Sequence, residues 1–457
     1  MSETSGKHVH PDLREAFAVW ARIGLLSFGG PAGQIALMHR IVVEEKRWIG
    51  DARFLHALNY CMLLPGPEAQ QLATYIGWLV HGVRGGVIAG ILFILPGLIT
   101  VTGLSMIYAT LGNVGVVEGL FFGLKAAVLA IVVQAVLRIG TRVLVGGWTT
   151  ALALLAFLAI FVFGIPFPLV IAAAAVIGLI AGRRTPAAST KGVAGQAGSR
   201  TVRDEETLLG AGAVAPDRTG PLRGAAICLA LWLLPVAALY GLFGADDVFA
   251  RIAGFFSTMA VVTFGGAYAA LAYVAQEAVE GFGWLQPGEM LDGLGLAETT
   301  PGPLILFTQF VGFMGAYRDP GTLPPLVAGT LGGLLTSWVT FAPCFAWIFL
   351  GAPFIERLRQ NAALTSALTG ITAAVVGVMA NLAVWFGLHV LFGEVRAVRA
   401  GGLELDWPVW TTLDPASALL VAAALVAALR FKLGILPLLG GAAGAGLLLW
   451  GAGLTAA

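Results

Sequence analysis

Two observations predict an all-α polytopic membrane protein made of two inverted-topology repeats, with broken or re-entrant helices at Gly-Gly and Pro-Gly-Pro motifs. First, the 457-residue chain is 58% hydrophobic and only 11% charged, against about 25% charged in an ordinary soluble domain. Its apolar runs over 86–111, 149–182, 326–350 and 415–429 are long enough, or nearly so, to cross a hydrocarbon core of about 30 Å as helices. Second, four landmarks occur twice in the same order. Phe28-Gly29-Gly30 recurs as Phe264-Gly265-Gly266, and Pro65-Gly66-Pro67 as Pro301-Gly302-Pro303. Gly85-Gly86 with Pro96 recurs as Gly332-Gly333 with Pro343, and the stretch 123–128 as 370–375. The interval from Gly29 to Pro65 equals that from Gly265 to Pro301. The chain is read as a tandem duplication.

Taken in order, residues 1–12 are polar and lack an apolar h-region, so no cleavable signal peptide is expected. Residues 13–44 are apolar and broken at Gly29-Gly30-Pro31, where glycine permits a sharp reversal and proline suits a first helical turn. A basic stretch, 40–53, follows. Residues 54–80 are apolar again, broken at Pro65-Gly66-Pro67. Longer helices are expected near 86–110, 117–138, 148–163 and 165–182. The first repeat therefore covers 1–182. Residues 183–223, rich in Gly, Ala, Thr and charge, read as a flexible cytoplasmic linker. A connecting transmembrane helix is expected over 224–243, and the inverted second repeat over 244–457.

Lysine and arginine favour the cytoplasmic side of a membrane. If both broken segments of each repeat are re-entrant, most of the 26 Lys and Arg fall on one side, with the N-terminus and the linker. The basic 40–53 loop has as its counterpart 277–292, which carries Glu277, Glu280, Glu289 and Asp292 and no basic residue. An odd connecting helix between two four-span units forces that inversion. Inverted repeats with broken helices at mid-membrane are a transporter architecture.

A helix break in a bilayer exposes N–H groups and about half a positive charge, a ready anion site. Gly29, Gly30 and Gln34 surround one such break, and Pro65, Gly66 and Pro67 a second. Gly265 and Gly266 mark the third, and Thr299, Thr300, Pro301 and Gly302 the fourth. Charged groups inside apolar segments are costly and become candidates for function. Arg22 and Lys125 could neutralise a dianion, although snorkelling or a structural ion pair would also account for them. Glu68 and Glu298 flank the Pro-Gly-Pro turns and could load and release a proton; a helix cap is the plainer reading of Glu68. Asn59 and Asn381 could line the cavity or equally bond between helices, while Trp48, Trp78 and Trp284 fit interfacial anchoring. The three cysteines are far apart with no C-x-x-C, so neither a disulfide framework nor a metal site is expected. No HExxH, Ser/His pairing or carboxylate cluster suggests an enzyme, and no cofactor is expected. A net charge of +1 points away from nucleic acid.

Phe28-Gly29-Gly30-Pro31, Glu45-Lys46-Arg47-Trp48 and Leu64-Pro65-Gly66-Pro67 together resemble the chromate ion transporter family. So do Thr263-Phe264-Gly265-Gly266, Thr300-Pro301-Gly302-Pro303 and Ala373-Ala374-Val375-Val376-Gly377. The likeness is to long, two-domain members. It implies an inner-membrane secondary transporter that exports chromate, coupled to the proton-motive force, and gives chromate resistance. The alternatives are a carrier of sulfate or another oxyanion, or an uncoupled anion channel. The expected partners are the oxyanion, protons and the lipid bilayer; a homodimer is left open.

Overall fold

The computed structural model describes residues 10–28, 30–112, 114–184, 202–210, 219–264, 267–351, 362–400 and 403–454. Helix α1 (Leu13–Leu26) starts on Asp12, whose carboxylate accepts the Glu15 N–H at 2.6 Å, satisfying a donor that the helix itself cannot. Beyond the break, α2 (Gly30–His39) opens on Gly30 and Pro31 and runs into a π-helical turn, Arg40–Glu45. The chain then reverses into α3 (Asp51–Cys61), breaks again over 62–67, and enters α4 (Glu68–Leu111). His81 and Gly82 have non-helical backbone angles, so α4 is a half-helix joined at a kink to a full span. Three more helices complete the repeat: α5 (Gly115–Val143), α6 (Gly147–Phe161) and α7 (Phe167–Arg184). Helix α8 (Thr219–Phe243) connects the halves and holds large apolar side chains outward, Leu234 at 67% and Leu242 at 78% exposure, as a lipid-facing surface requires.

The second half repeats this order. It runs α9 (Val248–Val262), α10 (Ala267–Ala275), a π-helical turn Gln276–Gly281, α11 (Pro287–Thr299) and α12 (Phe307–Arg318). Then follow α13 (Pro325–Gly351), α14 (Ala362–Leu391), α15 (Pro415–Leu429) and α16 (Ile435–Gly451). The correspondence reaches the backbone angles: Gly66 has φ +106° and Gly302 φ +103°, while Arg47 (φ +50°) pairs with Gly283 (φ +64°). Among the described residues, five helices are long and apolar enough to span a bilayer: Glu68–Leu111, Gly115–Val143, Gly220–Phe243, Pro325–Gly351 and Ala362–Leu391. This is a multi-pass membrane protein. The two repeats exchange partners: α5 packs on α15 and α16 of the second repeat, and α14 packs on α6 and α7 of the first. Glycines such as Gly123 against Ala442 and Gly377 against Ala153 let these backbones touch, the usual small-residue seam of membrane helices.

Three features depart from the sequence reading. Trp48 and Trp284 are not interfacial anchors; they are 3% and 7% exposed. The reversals at 46–50 and 282–286 fold their indoles inward, Trp48 beside Trp20 and Trp284 stacked on Phe256 and Phe282. A β-hairpin, β1 (Val395–Ala400) with β2 (Leu403–Pro408), sits between α14 and α15. And within the stretch expected as a flexible linker, residues 202–210 are laid on the loop before α3. The Val202 N–H donates to the Asp51 carboxylate, the Asp51 N–H to Val202 O at 3.1 Å, and the Leu208 N–H to Arg47 O at 3.0 Å.

Candidate functional site

The two repeats meet where their helices break. The Gly66 N–H, in the first Pro-Gly-Pro turn, donates to Thr263 O of the second repeat at 3.0 Å. Reciprocally, the Gly302 N–H donates to Ser27 O of the first at 2.8 Å. Ser27 and Thr263 are the residues just before the two Phe-Gly-Gly motifs, and both are buried. Each turns its hydroxyl back to its own helix, Ser27 to Ile23 O at 2.7 Å and Thr263 to Met259 O at 2.6 Å. Motifs far apart in the chain thus form one crossing with near-exact reciprocity. Gly29, Gly265 and Gly266 lie outside the described residues.

The polar groups around the crossing are buried and largely internally bonded. Gln34, in the first turns of α2, donates to Gly302 O at 2.6 Å; Gln71 donates to Pro65 O at 2.6 Å. The hydroxyls of Thr299 and Thr300 donate to Leu296 O and Ala297 O at 2.8 and 3.0 Å. Their protons are spent on the helix, so what these residues offer an anion is the shape of the turn rather than hydroxyl donors. The open donors are those of the helix starts: the first hydrogen bond of α4 is Gln71 N–H to Pro67 O, which leaves N–H groups of its opening turn without helical acceptors.

Two carboxyl groups stand beside the Pro-Gly-Pro turns of the crossing. Glu68 is the first residue of α4 and only partly buried. Glu298, at the end of α11, is 3% exposed and neither of its oxygens has a hydrogen-bond partner of good geometry, although Tyr268 of α10 faces it. An uncompensated buried carboxyl is costly and so marks a working site better than Glu68 does. Cys344 of α13 completes the surroundings: a Cβ placed on Gly66 would come 2.8 Å from its Sγ.

The two cations are not at the crossing. Arg22 turns to Glu45, 2.8 Å away, with both side chains well exposed. Lys125 meets Asp292 of α11 at 3.5 Å, and the same carboxylate accepts the Tyr108 hydroxyl at 2.9 Å. Asp292, Tyr108, Cys344 and Ser27 were not singled out from sequence. In sequence Asp292 closes the acidic stretch 277–292, yet it stands seven residues before Thr299 on one apolar helix, a face-sharing interval that marks it.

A cavity of about 210 Å³ lies away from the crossing, lined by Phe161, Gln276, Glu280, Asn381, Trp385 and Asp406 among others. Asn381 lines this cavity rather than the crossing, and the cavity's two carboxylates suit a cation rather than an anion. Among the described residues no group of three or more His, Cys, Asp or Glu could hold a metal ion.

A family model, chromate transporter, matches residues 14–179 and 250–447. The chain is 32% identical over 370 residues to the chromate transport protein of Pseudomonas aeruginosa, covering 80% of this chain and 79% of that one. It is 27% identical over 392 residues to a probable chromate transport protein of Synechococcus elongatus, covering 84% and 87% respectively. An uncharacterized transporter of Bacillus subtilis matches at 30% identity over 144 residues, 31% of this chain but 73% of its own. No solved structure matches the chain. The chain belongs to the chromate transporter family, a family of transport proteins and not of enzymes.

Proposed function

We propose that this member of the family is a secondary transporter of the bacterial inner membrane that exports chromate, a tetrahedral oxyanion dianion, at the expense of the proton-motive force, and so confers chromate resistance. The observation that carries the reading is the reciprocal crossing at Gly66–Thr263 and Gly302–Ser27. It supports an anion site because helix starts gather there, and each brings N–H groups and a partial positive charge. The anion would lie among Gly30 and Gln34, Pro65, Gly66 and Pro67, and Thr299 to Gly302. Glu298, buried with only Tyr268 facing it, and Glu68 carry the coupling proton. Each break is bonded to the other repeat, so rocking of the repeats would close one side of the crossing as it opens the other. The N-terminus and the 183–223 stretch face the cytoplasm in this reading.

The test is chromate flux into inside-out vesicles or proteoliposomes, with and without an imposed pH gradient and with excess sulfate. Flux that follows the gradient and resists sulfate is expected. Flux abolished by sulfate would make the protein a sulfate carrier, and flux indifferent to the gradient would make it a channel.

A further inference from the structure

One charged cluster is left unused by the crossing. Asp292 of α11 is 6% exposed at its side chain, whereas Lys125 of α5 is 30% exposed. Tyr108 of α4 donates to Oδ2 of Asp292, and Lys125 Nζ stands 3.5 Å from Oδ1, which has no hydrogen bond of its own. At 3.5 Å, longer than an ordinary charge-assisted hydrogen bond, the ammonium is held loosely and chiefly by charge, and its flexible stem lets it turn toward another anion. The remaining charged groups near the cluster are Glu289, one turn earlier on α11, and Arg318 of α12, which pair with each other. Among the described residues, α14 and α16, which also pack near α11, bring no titratable group to it. Lysine and tyrosine come from the first repeat and the aspartate from the second. Thr299, at the edge of the crossing, lies two turns further along α11, about 10 Å away.

We propose that Lys125 is a switched anion ligand with Asp292 as its proton-linked counter-ion. A dianion passing to or from the crossing takes the accessible ammonium from Asp292. The carboxylate, buried and now without its cation, takes up a solvated proton from the aqueous phase on Oδ1 while Tyr108 keeps its bond to Oδ2. A buried charge stripped of its partner is strongly penalised, and the proton removes that penalty. Anion binding and proton uptake are then linked, and linkage acts equally in both directions. When the anion leaves, the proton is released with it and the bridge between the repeats re-forms; one proton accompanying a dianion leaves a net charge of −1 moving outward, so the membrane-potential part of the proton-motive force drives export in this step. This rests on the oxyanion-transport reading and adds to it a second station, off the crossing, at which proton and anion meet.

The test uses the purified full-length chain and equilibrium dialysis with labelled chromate, over a pH range in which chromate itself stays a dianion. Wild-type affinity should rise by about tenfold as pH falls, an ordinary size for such a coupling. Asp292→Asn should bind with the low-pH affinity at every pH, and Lys125→Met should lose about tenfold at the low end. In weakly buffered solution with a pH dye, chromate added to the wild type should be accompanied by proton uptake, a readout that needs no variant. An unaltered pH dependence in Asp292→Asn, or no proton uptake by the wild type, overturns the proposal. So does wild-type behaviour of the exchanged pair Lys125→Asp/Asp292→Lys, since a merely structural bridge tolerates reversal. A wild type that binds neither chromate nor sulfate would instead bring down the transport reading, and this inference with it.

Discussion

Gly66 is where the crossing is least forgiving. Its φ of +106° belongs to a region that residues with a Cβ avoid, at a cost of about 1–3 kcal/mol. The added methyl of Gly66→Ala would also stand 2.8 Å from Cys344 Sγ and 3.3 Å from Gln71 Nε2, overpacking worth about a further 1–3 kcal/mol. Gly302→Ala meets the same backbone penalty, but its nearest neighbour is the flexible end of Leu306 at 3.1 Å, so it should lose less. Removing the thiol isolates the second contribution: in a Cys344→Ala background, the penalty of Gly66→Ala should shrink by the overpacking share and keep the backbone share. The assay is equilibrium unfolding in mixed micelles of the four proteins of the cycle, followed by tryptophan fluorescence. Wild-type stability in Gly66→Ala would refute the backbone part. An identical penalty with and without Cys344 would refute the contact across the repeats.

Four further outcomes are expected. Gln34→Leu strands the Gly302 carbonyl, which Gln34 now reaches at 2.6 Å, and should cost about 1–3 kcal/mol, read in the same unfolding assay. Glu298→Gln should keep chromate exchange down a gradient but lose acceleration by an imposed pH gradient in proteoliposomes; Glu68→Gln tests the other candidate carboxyl in the same way. Arg22→Ala breaks an exposed pair with Glu45 and should cost no more than about 1 kcal/mol, with chromate flux retained; lost flux would restore Arg22 to the substrate path. Asp51→Ala removes the acceptor of the Val202 N–H and should raise hydrogen exchange over residues 202–210 several-fold while leaving α3 protected.

The framework of the fold was legible because duplication is written in glycine and proline. Gly66 and Gly302 hold φ values that only glycine adopts freely, so the same pair of residues marks the same turn in both halves. Helix breaks were legible for the same reason, since proline at the start of α2 and before α4 removes a donor that has no partner there. Side-chain destinations were not. Arg22 and Lys125 looked alike as isolated cations in apolar sequence, and only packing separates an exposed pair with Glu45 from a bridge to buried Asp292. Trp48 misled because composition cannot tell an indole facing headgroups from one folded under a reversal beside Trp20. The docking of 202–210 was hidden because its bonds are mostly main-chain ones, to which composition is blind.

The reciprocity of the crossing bears on mechanism beyond the question of substrate. A pore needs only a lining, and a lining can be assembled within each repeat. Here each Pro-Gly-Pro glycine spends its N–H on a carbonyl of the other repeat, and Gln34 adds a third bond across the same boundary. Those bonds sit beside the glycines at which the backbone bends most freely, so a relative rotation of the repeats would strain both turns at once. Two arrangements related by exchanging the roles of the repeats would have similar energy, since the residues on either side are counterparts. The rocking proposed above requires two such arrangements with a strained path between them, the bistability on which alternating access rests. The differences between the halves then decide which arrangement an ion favours. Lys125 answers to Thr372, Glu298 to Met62 and Glu68 to Leu304; charges that lack a charged counterpart are what allow a proton or an anion to bias an otherwise balanced pair of states.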